Sequence, residues 1–224
     1  MSYILNIDTA VENSSVCLAL NGEFIAMTMN ANQKDSASWI QPAIKNLLTE
    51  QNVALGQLKA IALSNGPGSY TGLRVGMSTA KGLCYALNIP LITISTLKMM
   101  AISAIHLEAD LYCPMIDARR MEIFTAIYNR KLTEVKSPFN LVLDSGSFEE
   151  TLATNKILFF GNGSSKFQQI INHPNALFAP IESNAKHLIF ESFLKLKNKD
   201  VVDIAYAEPF YIKEFYSPPS KQIL

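Results

Sequence analysis

The run Gly66-Pro-Gly-Ser-Tyr-Thr-Gly-Leu-Arg-Val-Gly76 constrains the fold of this chain more than any other stretch. It follows an apolar, strand-like run, Ala60-Ile-Ala-Leu63, and precedes an amphipathic run from Leu73 to Leu87. Gly66 and Gly68 around Pro67 specify a tight turn with unusual dihedrals. Ser69 and Thr71 then offer hydroxyls where a helix begins, with backbone amides directed outward. Such a strand–turn–helix unit can receive a phosphate or a stretch of protein backbone. It lacks the lysine of a G-x-x-x-x-G-K-[ST] loop, and Thr71 stands where G-x-G-x-x-G needs its third glycine. The residues alone leave a structural turn and a ligand loop equally open.

The whole chain reads as repeated βαβ punctuation around that unit. Tyr3 to Ile7 begins a strand that ends at Asp8-Thr9. Ser14 to Leu20 and Glu23 to Met29 flank Asn21-Gly22, the preferred two-residue hairpin turn, so they pair antiparallel. Asp35 or Ser36 caps a helix whose inner face is Ile40, Ala43, Ile44, Leu47 and Leu48 at helical spacing. Pro42 costs that helix a backbone bond unless it starts near Ser38. Ala60 to Ser64 is the next strand, followed by the glycine turn and a helix from Thr71 to Leu87. Pro90 to Ile94 and a helix from Ser95 to Leu107 complete a βββαβαβα order. A second series then starts: strands Leu111 to Ile116 and Glu122 to Tyr128 around Asp117-Ala-Arg-Arg-Met121, and a strand at Val135 to Val142. A short helix Ser145 to Ala153, a buried strand Ile157 to Phe160, and helices Ser164 to Ile171 and Ala185 to Leu196 follow. Two successive halves, 1–97 and 98–224, each open on antiparallel strands, which is the order of an α/β, two-lobed actin/Hsp70/sugar-kinase-like fold. No internal repeat or low-complexity linker marks the join near Leu97.

Length admits one domain or two small ones with a substantial core: 224 residues, 49% hydrophobic and 17% charged. Lysine plus arginine equals aspartate plus glutamate at 19 each, which argues against a strong autonomous nucleic-acid binder. Cys17, Cys84 and Cys113 are odd in number, far apart and without C-x-x-C, so they read as buried thiols in a reducing compartment. His106, His173 and His187 are equally scattered, and no metal cluster is visible. No apolar run approaches ~18 residues and no basic region precedes one at the N-terminus. A cytoplasmic protein that does not span a membrane is expected.

Several blocks in order resemble the TsaB (YeaZ) family, whose proteins take part in making threonylcarbamoyladenosine in tRNA. They are the glycine run itself, Ile4-Leu-Asn-Ile-Asp-Thr-Ala10, Ile116-Asp-Ala-Arg-Arg-Met-Glu-Ile-Phe124, Gly161-Asn-Gly163 and Glu208-Pro-Phe-Tyr-Ile212. The resemblance covers nearly the whole chain and implies the same two-lobed fold. It implies a catalytically silent partner of the related enzyme TsaD, with tRNA and ATP or ADP belonging to the assembled complex. An ATPase subunit of the same pathway and a homodimer formed without TsaD are further partners it implies. In the family the first helix and the helix after the glycine run pack on TsaD. Carried over, that makes Trp39, Ala43, Leu73, Arg74, Met77 and Lys81 interface residues here. TsaD holds metal through a helical H-x-x-x-H; here the first helix opens Asp35-Ser-Ala-Ser-Trp39, without histidine, so no metal is expected.

Asp8 and Thr9, at a strand end, with Ser69 and Thr71, are the candidates for binding nucleotide in this chain. Set against them is a strand-end turn whose hydroxyl bonds a neighbouring loop. Two rival functions stay open: a free-standing ATP-binding enzyme of the same superfold using Asp8, Ser69 and Thr71, and a peptidase with Ser69 as nucleophile. No histidine is placed in sequence to serve such a serine. Arg119 and Arg120, at a hairpin tip, either bind phosphate or carboxylate or fix the turn through Asp117 and Glu122.

Overall fold

A computed structural model gives the fold and describes residues 1–30 and 35–213. The first sheet has the order β3-β2-β1-β4-β5. Its strands are β1 (Tyr3–Asp8), β2 (Ser14–Leu20), β3 (Glu23–Asn30), β4 (Leu58–Ser64) and β5 (Leu91–Ile94). The second has the order β10-β9-β6-β7-β8. It is built from β6 (Leu111–Asp117), β7 (Glu122–Asn129), β8 (Glu134–Val142), β9 (Ile157–Phe160) and β10 (Ala176–Phe178). In each, an antiparallel three-strand meander is extended by two parallel strands, β4 and β5 beside β1, β9 and β10 beside β6. The two sheets therefore repeat one topology, and the fold is two-lobed α/β. Asp8 and Asp117 end equivalent strands, and Gly66 and Gly161 open equivalent turns, both at positive φ.

Local chemistry places most elements. Asn21 and Gly22 both lie at positive φ, 54° and 87°, as a type I′ hairpin demands. Helix α1 (Ser36–Glu50) carries Pro42 inside it, on its exposed side, rather than starting beyond Ser38. Neither expected hydroxyl or carboxyl caps it; the Ser36 hydroxyl pairs with that of Ser14 at 2.7 Å. Helix α2 (Tyr70–Leu87) is capped by Ser69, whose hydroxyl accepts the Gly72 N–H at 3.2 Å. It stops at Asn88, which takes the left-handed conformation. The expected helix 145–153 is a single turn, α4 (Glu149–Leu152), and 164–171 shortens to α5 (Ser164–Gln168).

Helices α1 and α2 cover one face of the first sheet, where Ile40, Ile44, Leu47, Met77 and Ala80 pack on Leu5, Ile7, Val16 and Leu18. The opposite face packs on Met99 of α3 (Thr96–Ala104) and on Leu188, Ala185 and Ile189. Those last residues begin the 185–197 segment, a 3₁₀ turn running into α6 (Ile189–Lys197). A division at 97/98 thus falls inside α3, and the chain after residue 184 returns to the first lobe. Phe148, Phe159, Phe167 and Phe178 stack within the second lobe. Among the described residues no helix is long and apolar enough to cross a membrane.

Candidate functional site

The glycine run holds the protein's own backbone. A Cβ on Gly68 would strike the Ala10 carbonyl, one on Gly72 the Thr9 carbonyl, and one on Gly76 the Thr9 hydroxyl. Only glycine allows this approach at three consecutive turns of the segment. Thr9 donates its hydroxyl to the Gly72 carbonyl at 2.7 Å, and the Ser69 N–H donates to the Ala10 carbonyl at 2.8 Å. The opposite side of the turn is closed too. Phe210 donates its N–H to the Asn65 carbonyl at 2.7 Å, and Gly66 is pressed against the Phe210 backbone. Gly66 is further fixed by Thr96, whose hydroxyl accepts its N–H at 3.0 Å.

Of the four residues singled out for nucleotide, three are consumed internally. Asp8 is fully buried: Oδ1 accepts the Ala10 N–H at 3.0 Å and the Ser64 hydroxyl, and Oδ2 has no hydrogen-bond partner among the described residues. Burial outweighs these bonds and pushes its carboxyl up to about 6. Thr9 is buried behind α2, Ser69 is spent as the helix cap, and Thr71 alone is exposed. The structure brings Asp8, Thr9 and Ser69 together as a locked turn, not as an open cradle.

A cavity of about 700 Å³ opens between the lobes, lined by Glu12 and Asn13 of the β1–β2 turn, Gly161 and Asn162 after β9, and Glu182. Among the described residues its walls carry two carboxylates and no lysine or arginine. Carboxylates without cations oppose a phosphate chain. His187 does not add one: burial lowers its ring to about 4, and Nδ1 accepts the Asn184 N–H.

The outer face of the α1–α2 pair differs from the expectation at half of its positions. Ala43, Leu73 and Met77 are 7%, 1% and 4% exposed, and Met77 packs in the core against the first sheet. Periodicity had put Ala43 inside, and the outward assignment by resemblance fails because 73, 77, 80 and 84 form the buried stripe of α2. Trp39 is half-buried against the same core. Lys81 is half-buried, donating to the Ala205 and Ala207 carbonyls at 3.4 and 3.0 Å. Arg74 is exposed, lies 4.1 Å over the Tyr70 ring and donates to the Tyr211 hydroxyl at 3.3 Å. Sequence reasoning missed what the outer face does carry: Ser78, Gly82, Ala86 and, at 84% exposure, Tyr85. Their i, i+4, i+8 spacing was the available signal.

Comparison with known proteins places these features. A family model described as "TsaD: tRNA N6-adenosine threonylcarbamoyltransferase" matches residues 30–208. The tRNA threonylcarbamoyladenosine biosynthesis protein TsaB of Bacillus subtilis (strain 168) is 30% identical over 215 residues, 94% of this chain and 93% of that one. A crystal structure from Pseudomonas aeruginosa, described as similar to the peptidase YeaZ, matches at TM-score 0.84 and 26% identity over 95% of this chain and 100% of its own. The ADPNP-bound activator of 2-hydroxyisocaproyl-CoA dehydratase from Clostridium difficile matches at TM-score 0.52 and 8% identity, over 88% and 97% of the two chains. That last likeness is one of fold alone, the actin/Hsp70/sugar-kinase type. With a family model over most of its length and a 30% identical relative end to end, the chain belongs to the TsaB (YeaZ) family.

Proposed function

We propose that this chain works in the cytoplasm as a catalytically silent partner of a TsaD-type enzyme, and supports threonylcarbamoyl transfer to adenosine in tRNA. Gly82 carries the partner reading. A glycine inside a helix costs roughly 0.5–1 kcal/mol against alanine. Inside the helix, Gly72 and Gly76 offset that by admitting the Thr9 carbonyl and the Thr9 hydroxyl, but among the described residues a Cβ built on Gly82 meets nothing within 4 Å. Among the described residues nothing uses the missing side chain. A second chain lying close along Ser78, Gly82 and Ala86, with Tyr85 as an anchor, would use it. Exposed Gln41, Pro42 and Lys45 on α1 extend the same face. The same face serves a homodimer when the partner is missing, and an ATPase subunit of the pathway would join the assembled pair.

Catalytic silence rests on the locked turn. Asp8 and Thr9 are engaged internally, and the interlobe cavity presents carboxylates where phosphate would need cations. ATP or ADP belongs on this reading to the complex. A free-standing ATP-binding enzyme would instead show turnover near 1 s⁻¹ or above, abolished by Asp8→Asn.

Gly82→Arg tests the interface. The substitution replaces a poor helix former with a good one near a helix C-terminus, so the melting temperature should hold or rise slightly. A charge desolvated at a contact costs a few kcal/mol. Affinity for the TsaD-type protein should therefore fall about 100-fold or more. Unchanged affinity would place the contact elsewhere.

A further inference from the structure

The β6–β7 tip is the second-lobe counterpart of the Thr9–Asn13 turn, yet it is built differently. Arg119 and Arg120 sit consecutively in the left-handed region, at φ 71° and 49°. That conformation suits asparagine and glycine, and arginine has no local reason to hold it. The turn is closed without their side chains: the Glu122 N–H donates to the Arg119 carbonyl and the Ala118 N–H to the Glu122 carbonyl, both at 3.0 Å.

The neighbouring carboxylates are already engaged. Asp117 Oδ1 accepts Lys166 Nζ at 2.6 Å and the Arg119 N–H at 2.5 Å. Burial alone would raise the Asp117 carboxyl, but the bonds from Lys166 and the Arg119 N–H, with the nearby charges of Lys166 and, least, Arg119, hold it below the usual range. Glu122 is paired with Lys213 and takes the Asn140 amide at 2.8 Å. Among the described residues neither guanidinium has an ion-pair partner. Arg119, Arg120, Lys166 and Lys213 therefore outnumber Asp117 and Glu122 by two charges, in a chain whose formal net charge is zero. Both arginines and Met121 are exposed and lie outside the interlobe cavity, so a ligand would pass over the tip rather than enter the fold.

We propose that the Arg119–Arg120 tip contacts the phosphodiester backbone of RNA. Guanidinium groups take phosphate oxygens by bidentate, charge-assisted bonds, and an extended polyanion suits an exposed tip. The proposal rests on the reading of this chain as part of a tRNA-modifying assembly. The tip belongs to the second lobe and the α1–α2 face to the first, so RNA and protein partners need not compete.

The test replaces the pair by the residues the turn prefers, Arg119→Asn with Arg120→Gly, beside the charge-conserving Arg119→Lys with Arg120→Lys. An unmodified tRNA transcript is titrated at several salt concentrations against the isolated chain and against the chain mixed with the TsaD-type protein. Loss of two phosphate contacts lowers the slope of log K on log salt by about 1.5, hence affinity roughly 30-fold at ~0.1 M salt. The Asn/Gly variant should lose this slope and melt a few degrees higher, its turn relaxed; the Lys variant should keep the slope. An unchanged slope in the Asn/Gly variant overturns the proposal, as does a lower melting temperature with RNA binding intact. Association with the TsaD-type protein is measured without RNA. If the Asn/Gly variant loses that association and leaves the isolated chain's RNA titration unchanged, the tip is a protein contact and the proposal is overturned. If the unmodified chain never associates, the partner reading falls, while the titration on the isolated chain still decides the tip.

Discussion

Asp8→Asn separates a structural aspartate from a ligand-binding one by the sign of its pH dependence. Asp8 is sealed under the Thr9-Ala10 turn, with Oδ1 doubly bonded and Oδ2 without a partner among the described residues. Desolvation raises its carboxyl from 3.8 to about 6. A folded-state value above the unfolded one means that folding favours the protonated acid. The stability it contributes is full below pH 3.8 and is lost as pH rises through about 6. A shift of that size corresponds to about 3 kcal/mol. Asparagine resembles the neutral acid, keeps an oxygen for Ser64 and Ala10, and cannot ionise. Near pH 4 the variant should therefore match the wild type within about 1 kcal/mol, since its amide leaves one buried group unsatisfied, as the neutral acid does. By pH 8 the variant should be ahead by a further ~3 kcal/mol, or about 6–12 °C in a chain of this size. Urea and thermal melts of both proteins from pH 4 to 8 measure the difference directly and cancel the titration of every other group. A gap that stays flat from pH 4 to 8, or a wild type that leads at pH 8 and loses its lead only as pH falls, would refute the reasoning. The wild-type lead is what an aspartate held ionised by a bound cation would give.

Other substitutions read the packing of the same region. Gly72→Ala drives a methyl into the Thr9 carbonyl, so chemical denaturation should register a loss of about 1–3 kcal/mol or more, although alanine is the better helix former. Met77→Glu places a carboxylate in the α2–sheet core and should cost several kcal/mol; a normal melt would contradict the inward stripe. Ser69→Ala removes the α2 cap and should cost about 1 kcal/mol by the same measurement.

How much of this was legible before the structure depends on where the signal lay. Asn21-Gly22 and the glycine run were readable because each demands a specific backbone, and both appear where their residues require. The two-lobe order was readable from strand alternation, but the return of residues 185–197 to the first sheet was not. That segment's helical spacing shows an apolar face without saying which sheet it meets. The segment to Ile212 has no periodicity, and its backbone docking on Asn65 and Gly66 comes from main-chain groups that every residue possesses. Resemblance puts Ala43, Leu73 and Met77 at an outward interface, but their helical spacing puts them inside, where the structure has them buried. Gly82 was passed over because an exposed glycine in a helix has meaning only once its surroundings are known.

The most direct test of the central claim reconstitutes threonylcarbamoyl transfer to an unmodified tRNA with the TsaD-type enzyme of the same organism and its ATP-using partners. The assay is run without this chain, with it, and with Gly82→Arg in its place. The account predicts modified tRNA with the wild-type chain, little or none without it, and a loss with Gly82→Arg that higher protein concentration restores. Equal modification with and without the chain would contradict the account.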